Sequence, residues 1–325
     1  MVAKKISIVI PSLGRKEELL NTINDLSQQS LPKECWEIIL VMQGDFNIET
    51  IVEQCPKWNI NLSVFHSPEP NASLARNIGL VESKSEIVLF LDDDLIIKNT
   101  HFLDAHLNTY SDKSISGVYG QVLDPDVPPR NSRHRWSNKK GVGWLFFPSN
   151  YDTKCYVENA ASANLSVNKD FAINVGGMDI KYEKAAHREE SDFCLRLTRK
   201  HGLLLFEPQA SVIHLGAAQG GCRSWGKNEG VHPKHHVFGE WYFILKGLKI
   251  GTVKWYQLHF HLGVLFFRQI WNIHNKRNIN ALFKATCRCF TGFCKALIST
   301  VQYDKNKNTL IPNGYNYKLI YSYEI

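Results

Sequence analysis

No stretch of the sequence is long and apolar enough to cross a bilayer. The longest uncharged run toward the C-terminal end, Trp255 to Phe267, holds 13 residues and includes His259 and His261, whereas a spanning helix needs about 20 apolar residues. Behind two N-terminal lysines, the apolar run Ile6 to Ile10 stops at Pro11; it is too short for a signal-peptide core and reads as a strand. A cysteine framework is missing too. Cys35, Cys55, Cys155, Cys194, Cys222, Cys287, Cys289 and Cys294 follow no disulfide spacing, and in a chain this large they read as reduced thiols of a cytoplasmic protein. There is no internal repeat and no low-complexity tract. With 44% hydrophobic and 11% aromatic residues, the chain is neither disordered nor collagenous, and its 325 residues suffice for one large core or two ordinary ones.

The formal net charge of +7 invites a nucleic-acid partner, but its placement argues otherwise. Residues 240–325 hold 12 Lys+Arg and 3 Asp+Glu, a local +9, while residues 1–239 hold 26 and 28, or −2. The body is mildly acidic and no recognition motif precedes the basic end, so no nucleic acid is expected.

The first hundred residues alternate strand and helix signals. Strands are expected at Ile6–Ile10, Trp36–Met42, Asn61–His66 and Glu86–Leu91, with helices over Lys16–Gln29 and Ser73–Ser83. Continuous apolar strands separated by helices indicate a parallel sheet covered on both faces, whose ligands bind outside the carboxyl ends of the strands. Residues 124–160 read as a long irregular connection. Ala163–Val167 is strand-like, Lys169–Val175 a short helix and Glu189–His201 a good one; Leu203–Phe206 and Ser211–His214 read as two strands around Pro208.

Leu91-Asp92-Asp93-Asp94 puts three carboxylates at the end of a fully apolar strand. Concentrated like charge favours a cation, and carboxylate oxygens suit Mg²⁺ or Mn²⁺. If strand geometry continues, Asp92 and Asp94 point one way and Asp93 the other; a solvated acidic turn is the plainer alternative. A second acidic group, Glu189-Glu190-Ser191-Asp192, opens a helix, where carboxylates either complement the helix dipole or include a general base.

Together these motifs resemble the family 2 glycosyltransferases, an inverting group with the GT-A fold. The resemblance covers roughly residues 5–225. It rests on Ile6-Ser7-Ile8-Val9-Ile10-Pro11-Ser12-Leu13-Gly14-Arg15, on Asn71-Ala72-Ser73-Leu74-Ala75-Arg76-Asn77, on Phe90-Leu91-Asp92-Asp93-Asp94 as the Asp-x-Asp element, on Ala163 to Val167 with Gly176-Gly177-Met178-Asp179, and on Glu189 to Leu197. It implies an α/β GT-A architecture, Rossmann-like, with a mostly parallel sheet between helices. It also implies a nucleotide-sugar donor, contacted by Pro11, Arg15, Gln43, Arg76, Asp92 and Asp93, and a Mg²⁺ or Mn²⁺ ion held by Asp94, Asp92 and His214. The family's base is usually the Asp of a Glu-Asp pair. Here that position is Glu190, with Glu189 and Asp192 as alternatives. Where the family often has an acid reading the base, this chain has Gln43, Gly44 and Asp45. The turn Gly216–Gly221 with Arg223 is a candidate to close over the donor phosphates.

Residues 236–302 mix Trp, Phe and Tyr with Lys and Arg, which suits helices lying in an anionic membrane interface and equally a helical layer packed on the body or on a second copy. Cys287, Cys289 and Cys294 lack a second ligand pair for zinc and read as core or interface thiols. The expected organisation is a transferase domain over 1–235, a basic aromatic helical, membrane-associating region over 236–302, and a tail over 303–325. The expected acceptor is a lipid-linked or growing polysaccharide of the O-antigen or capsule kind, with the protein peripheral on the inner face of the cell membrane. Three other readings stay open: a non-catalytic sugar-nucleotide-binding assembly protein, an Asp-based phosphoryl-transfer enzyme, and a nucleotidyltransferase. Leu95-Ile96-Ile97 behind Asp94 disfavours the second, and the lack of a Gly-rich, Arg-containing first loop disfavours the third.

Overall fold

The N-terminal third winds as alternating strands and helices: β1 (Ile6–Ser12), α1 (Lys16–Ser27), β2 (Trp36–Gln43), α2 (Glu49–Trp58), β3 (Leu62–Ser67), α3 (Ala72–Glu82) and β4 (Ile87–Leu91). The computed structural model describes residues 5–130, 138–139, 142–145, 149–184, 186–217, 219–221, 232–272, 275–304 and 309–325. After β4 come β5 (Leu95–Ile96), α4 (Phe102–Thr109), β6 (Gly117–Leu123), β7 (Cys155–Val157), β8 (Asn164–Asn168), α5 (Lys169–Asn174), α6 (Glu189–His201) and β9 (Leu204–His214). Three helices follow, α7 (Lys234–Ile250), α8 (Leu258–Leu265) and α9 (Ile279–Val301), and then β10 (Lys318–Tyr323).

All these strands join one sheet in the order β10-β3-β2-β1-β4-β8-β6-β9-β5, with β7 on β9. Side chains of β1 alternate between two cores, as the two-residue strand period requires. Ile8 and Ile10 pack with Leu19 and Ile23 of α1, and Val9 packs with Ala75 and Ile78 of α3. A Cβ on Gly79 would sit 2.2 Å from Val9 Cγ1, so only glycine lets α3 lie this close to β1.

Three expectations change. The sheet is mixed rather than mostly parallel: β3, β2, β1 and β4 run parallel, but β8 is antiparallel to both β4 and β6. The strict βα alternation that enforces parallel crossovers ends after β4. Second, β9 is one strand, not two. Its pairing with β6 jumps from Gly120↔Glu207 to Gln121↔Ser211, a bulge that takes up Pro208, which has no N–H to donate. Asn164 Nδ2 caps the carbonyl of Ala210 in that bulge at 2.8 Å. Third, the stretch set apart as a tail contributes β10, antiparallel to β3. Helices α2 and α4 had no clear sequence signal; α2 carries Pro56 within it.

The parallel strands all end at one edge, at Ser12, Gln43, Ser67 and Leu91. Among the described residues no helix is long and apolar enough to cross a membrane.

Candidate active site

Just beyond β4, the acidic triplet divides as its alternation suggests. Asp93 turns inward and is 4% exposed; its carboxylate accepts from Ser12 Oγ (2.7 Å) and Arg15 Nη1 (3.0 Å). Burial pushes Asp93 up to about 6, against the pull of Ser12 and Arg15. Asp92 and Asp94 face the other way, toward His214 at the end of β9. One ligand atom from each of these three residues lies within 4.8 Å of the others.

Asp94 Oδ2 accepts the N–H of Ala217 at 2.9 Å and lies 3.1 Å from Arg15 Nη1. Its Oδ1 is buried with no hydrogen bond of its own and lies 3.2 Å from His214 Nε2. Burial would raise the Asp94 pKa, yet His214, the Ala217 N–H and Arg15 outweigh it and hold the carboxyl at about 2. His214 is raised in turn, first by its contact with Asp94. Two hard carboxylates, one with an orphaned buried oxygen, and an imidazole fit a divalent cation such as Mg²⁺ or Mn²⁺.

Arg76, on the buried face of α3, joins the two acidic motifs. Its Nη2 donates to Asp92 Oδ1 at 2.9 Å and its Nη1 to Glu189 Oε1 at 3.3 Å. Burial, then the charge of Glu190, pushes Glu189 well above the ordinary carboxylate range despite Arg76. Glu190 is half-buried. Its Oε1 accepts from the Ser162 N–H at 2.6 Å and from Ser162 Oγ at 2.5 Å. Arg188, directly before α6, holds the left-handed backbone at φ 77°, a sparsely populated conformation for a non-glycine residue and one that concentrates at functional sites.

The other expected residues are held by partners within the fold. Asp192 is 2% exposed and takes Arg196 (2.8 Å) and Lys246 (2.8 Å) on Oδ2, which ties α7 to α6. Gln43 is buried and its Oε1 accepts the Asn71 N–H at 2.7 Å, fixing the start of α3. Pro11 lies buried within β1, opposite Val41. Arg15 is anchored by Asp93 and donates from Nε to the Gln219 carbonyl at 3.0 Å. Gly220 and Gly221 lie against it with φ 71° and 49°, and a Cβ on Gly220 would come within 2.6 Å of Arg15 Cγ. The glycine turn therefore closes over Arg15; Arg223 is outside the described residues. Ser162 carries no sequence signal, and the pairing of Ser12 with Asp93 carries none, because each partner is distant in the chain. None of the seven described cysteines is joined in a disulfide.

Residues 7–166 match the family model described as Glycosyl transferase family 2. That match, just under half of the chain, makes this stretch a glycosyltransferase family 2 domain. Poly(ribitol-phosphate) beta-N-acetylglucosaminyltransferase TarS of Staphylococcus aureus is 26% identical over 145 residues, 40% of this chain and 25% of TarS. The chain thus matches only about a quarter of that relative's length. Among solved structures, the mannosyltransferase PcManGT from Pyrobaculum calidifontis, in complex with GDP-Man and Mn²⁺, superposes with a TM-score of 0.57 at 12% identity, covering 93% of this chain and 80% of that one. S. aureus TarS 1-349 in complex with UDP-GlcNAc gives 0.54 at 14% identity, covering 96% and 98%. At these identities the likeness establishes a GT-A-like glycosyltransferase fold.

Proposed function

We propose that this family 2 member is an inverting glycosyltransferase, moving a sugar from a nucleotide-activated donor to a hydroxyl of a lipid-linked or growing polysaccharide. O-antigen or capsule chains are the proposed products, and the inner face of the cell membrane, where the protein is peripheral, is the proposed setting. The observation that carries the reading is the convergence of Asp92, Asp94 and His214 at the carboxyl edge of the sheet, linked through Arg76 to the acids that open α6. The named relatives and structures, which transfer N-acetylglucosamine or bind GDP-Man and UDP-GlcNAc, support the donor class.

Asp92, Asp94 and His214 would hold a Mg²⁺ or Mn²⁺ ion that, when bound, offsets charge gathering on the leaving nucleoside diphosphate. Arg76 keeps Asp92 turned to that side while tying Glu189 down. Glu190 is the base: half-exposed, with one oxygen fixed by Ser162, it accepts the proton of the acceptor hydroxyl as that oxygen attacks the anomeric carbon. The carbon–oxygen bond to the diphosphate breaks with its electron pair going to the phosphate, and attack from the opposite face inverts the centre. Glu189 is already committed to Arg76.

A panel of nucleotide sugars, assayed for nucleoside diphosphate release with Mn²⁺ or Mg²⁺ and a membrane extract as acceptor source, tests this. Release from one donor, abolished by chelation and cut about 100-fold or more by Glu190→Gln, is the expected result. Release from none of the donors, or full turnover by Glu190→Gln, would overturn it.

A further inference from the structure

Between residues 241 and 303 the chain carries nine Lys+Arg and no Asp or Glu. This segment builds most of the α7–α9 layer. Helix α9 turns its small residues inward: Ala285, Cys289, Gly292 and Ala296 are buried. Its outward side is apolar but bare, with Phe283 72%, Phe290 68%, Ile298 60% and Val301 71% exposed. Flanking α8, Trp255 is 80% and Phe267 63% exposed. Large aromatic side chains left in water in such number mark an interaction surface.

Charge decides what that surface meets. Phe283, Phe290 and Leu297, all exposed, recur every seven residues along α9, a pattern that would also suit pairing with another helix. Yet two copies of this face would set cation against cation: residues 241–303 supply no acid, and Glu183 beside α9 is already paired with Lys295 at 3.0 Å. An anionic lipid surface satisfies both features at once: the aromatic and aliphatic side chains enter the headgroup boundary, and Lys276, Arg277 and Lys284, all exposed, meet lipid phosphate.

We infer that the outer face of α9, with the exposed aromatic residues flanking α8, docks on the surface of an anionic bilayer. This gives residues to the membrane setting proposed above and rests on that reading only for its biological context. The face is also fixed to the catalytic body. Lys246 of α7, fully buried, donates to Asp179 (2.7 Å) and to Asp192 of α6 (2.8 Å). Helix α6 opens with Glu189 and Glu190, so docking sets the orientation of the cleft as well as its location.

The test is co-sedimentation of the full chain, without donor, with phosphatidylcholine vesicles that either contain or lack phosphatidylglycerol. Binding only to the anionic vesicles is expected, weakening as salt rises. Phe283→Ser with Phe290→Ser is expected to weaken it at least tenfold, and Lys284→Glu by about fivefold or more, with melting temperatures unchanged because these side chains are exposed. Equal binding to both vesicles, or none to either, overturns the inference. So does a concentration-dependent dimer in sedimentation velocity that Phe290→Ser abolishes, which would assign the face to a second copy. Nucleoside diphosphate release is measured separately on the same preparations; its persistence without vesicle binding sinks the docking alone, and the converse sinks the transferase reading alone.

Discussion

Arg76 is 6% exposed and stands between Asp92 and Glu189. A planar guanidinium serves two carboxylates in different directions, whereas an ammonium is a single point charge. Arg76→Lys should therefore keep the fold but lose one of the two contacts. The expected outcome is a fall in kcat/KM of about tenfold or more, read by nucleoside diphosphate release. Asp92, Asp94 and His214 were legible in the sequence because acids after an apolar strand, and a histidine after another, fall at the crevice edge of an α/β sheet. The separation of Glu190 from Glu189 and Asp192 was not. It depends on Ser162 and Arg76 and on Lys246, which is 54 positions from Asp192; no local pattern reports a partner that remote.

At the scale of elements, α7 is welded to α6 by charge as well as by packing. Asp179 and Asp192 share Lys246, and Tyr242 donates to Asp179 at 2.9 Å. Removing one partner of a buried ion pair leaves its counter-charge uncompensated, at a cost of about 3–5 kcal/mol. Lys246→Met is expected to lose stability of that order in urea unfolding. A chain cut near residue 235 should fail to fold for the same reason, so release into a soluble fraction after such a cut would not report on lipid. The early strands and α1, α3 and α6 were legible from their apolar periodicity. Helix α2 was not, because it buries only Ile51, Cys55 and Trp58 and contains a proline. The bulge in β9 imitated a strand boundary in sequence, since Pro208 and Gln209 carry turn character while Asn164, from another strand, satisfies the backbone there.

For the molecule as a whole, buried histidines oppose stability in acid, while Asp93 and Glu189, both pushed up by burial, favour it. Burial holds His106 at about 4, against its hydrogen bond to Asn164, and burial with neighbouring imidazoles holds His236 at about 3. Both are neutral in the folded chain and titrate near 6.5 once unfolded. At these two groups the unfolded state thus binds more protons below that pH, so their contribution is full above about 6.5 and falls as pH drops toward 4. Each should contribute a loss of about 2 kcal/mol between pH 6.5 and pH 5, and for His106 that share is read as the difference between the urea midpoints of the native chain and His106→Gln across this pH range. The uneven charge distribution was legible from counting alone. That the basic region is one layer with the acidic body was not, because the joining residue is a lysine, ordinarily a surface residue.

Strand β10 closes the sheet from far along the chain: Lys318 pairs with His66, about 250 positions earlier. On a ribosome adding roughly 5–20 residues per second, β1 to β4 emerge tens of seconds before the strand that covers their outer edge. Throughout that interval β3 lacks the strand that pairs with its outer edge, so its N–H and C=O groups there are a template on which neighbouring nascent chains can add. The yield of this protein in a cell is thereby tied to translation speed and to whatever shields that edge during synthesis, a dependence set by topology and independent of how stable the finished fold is.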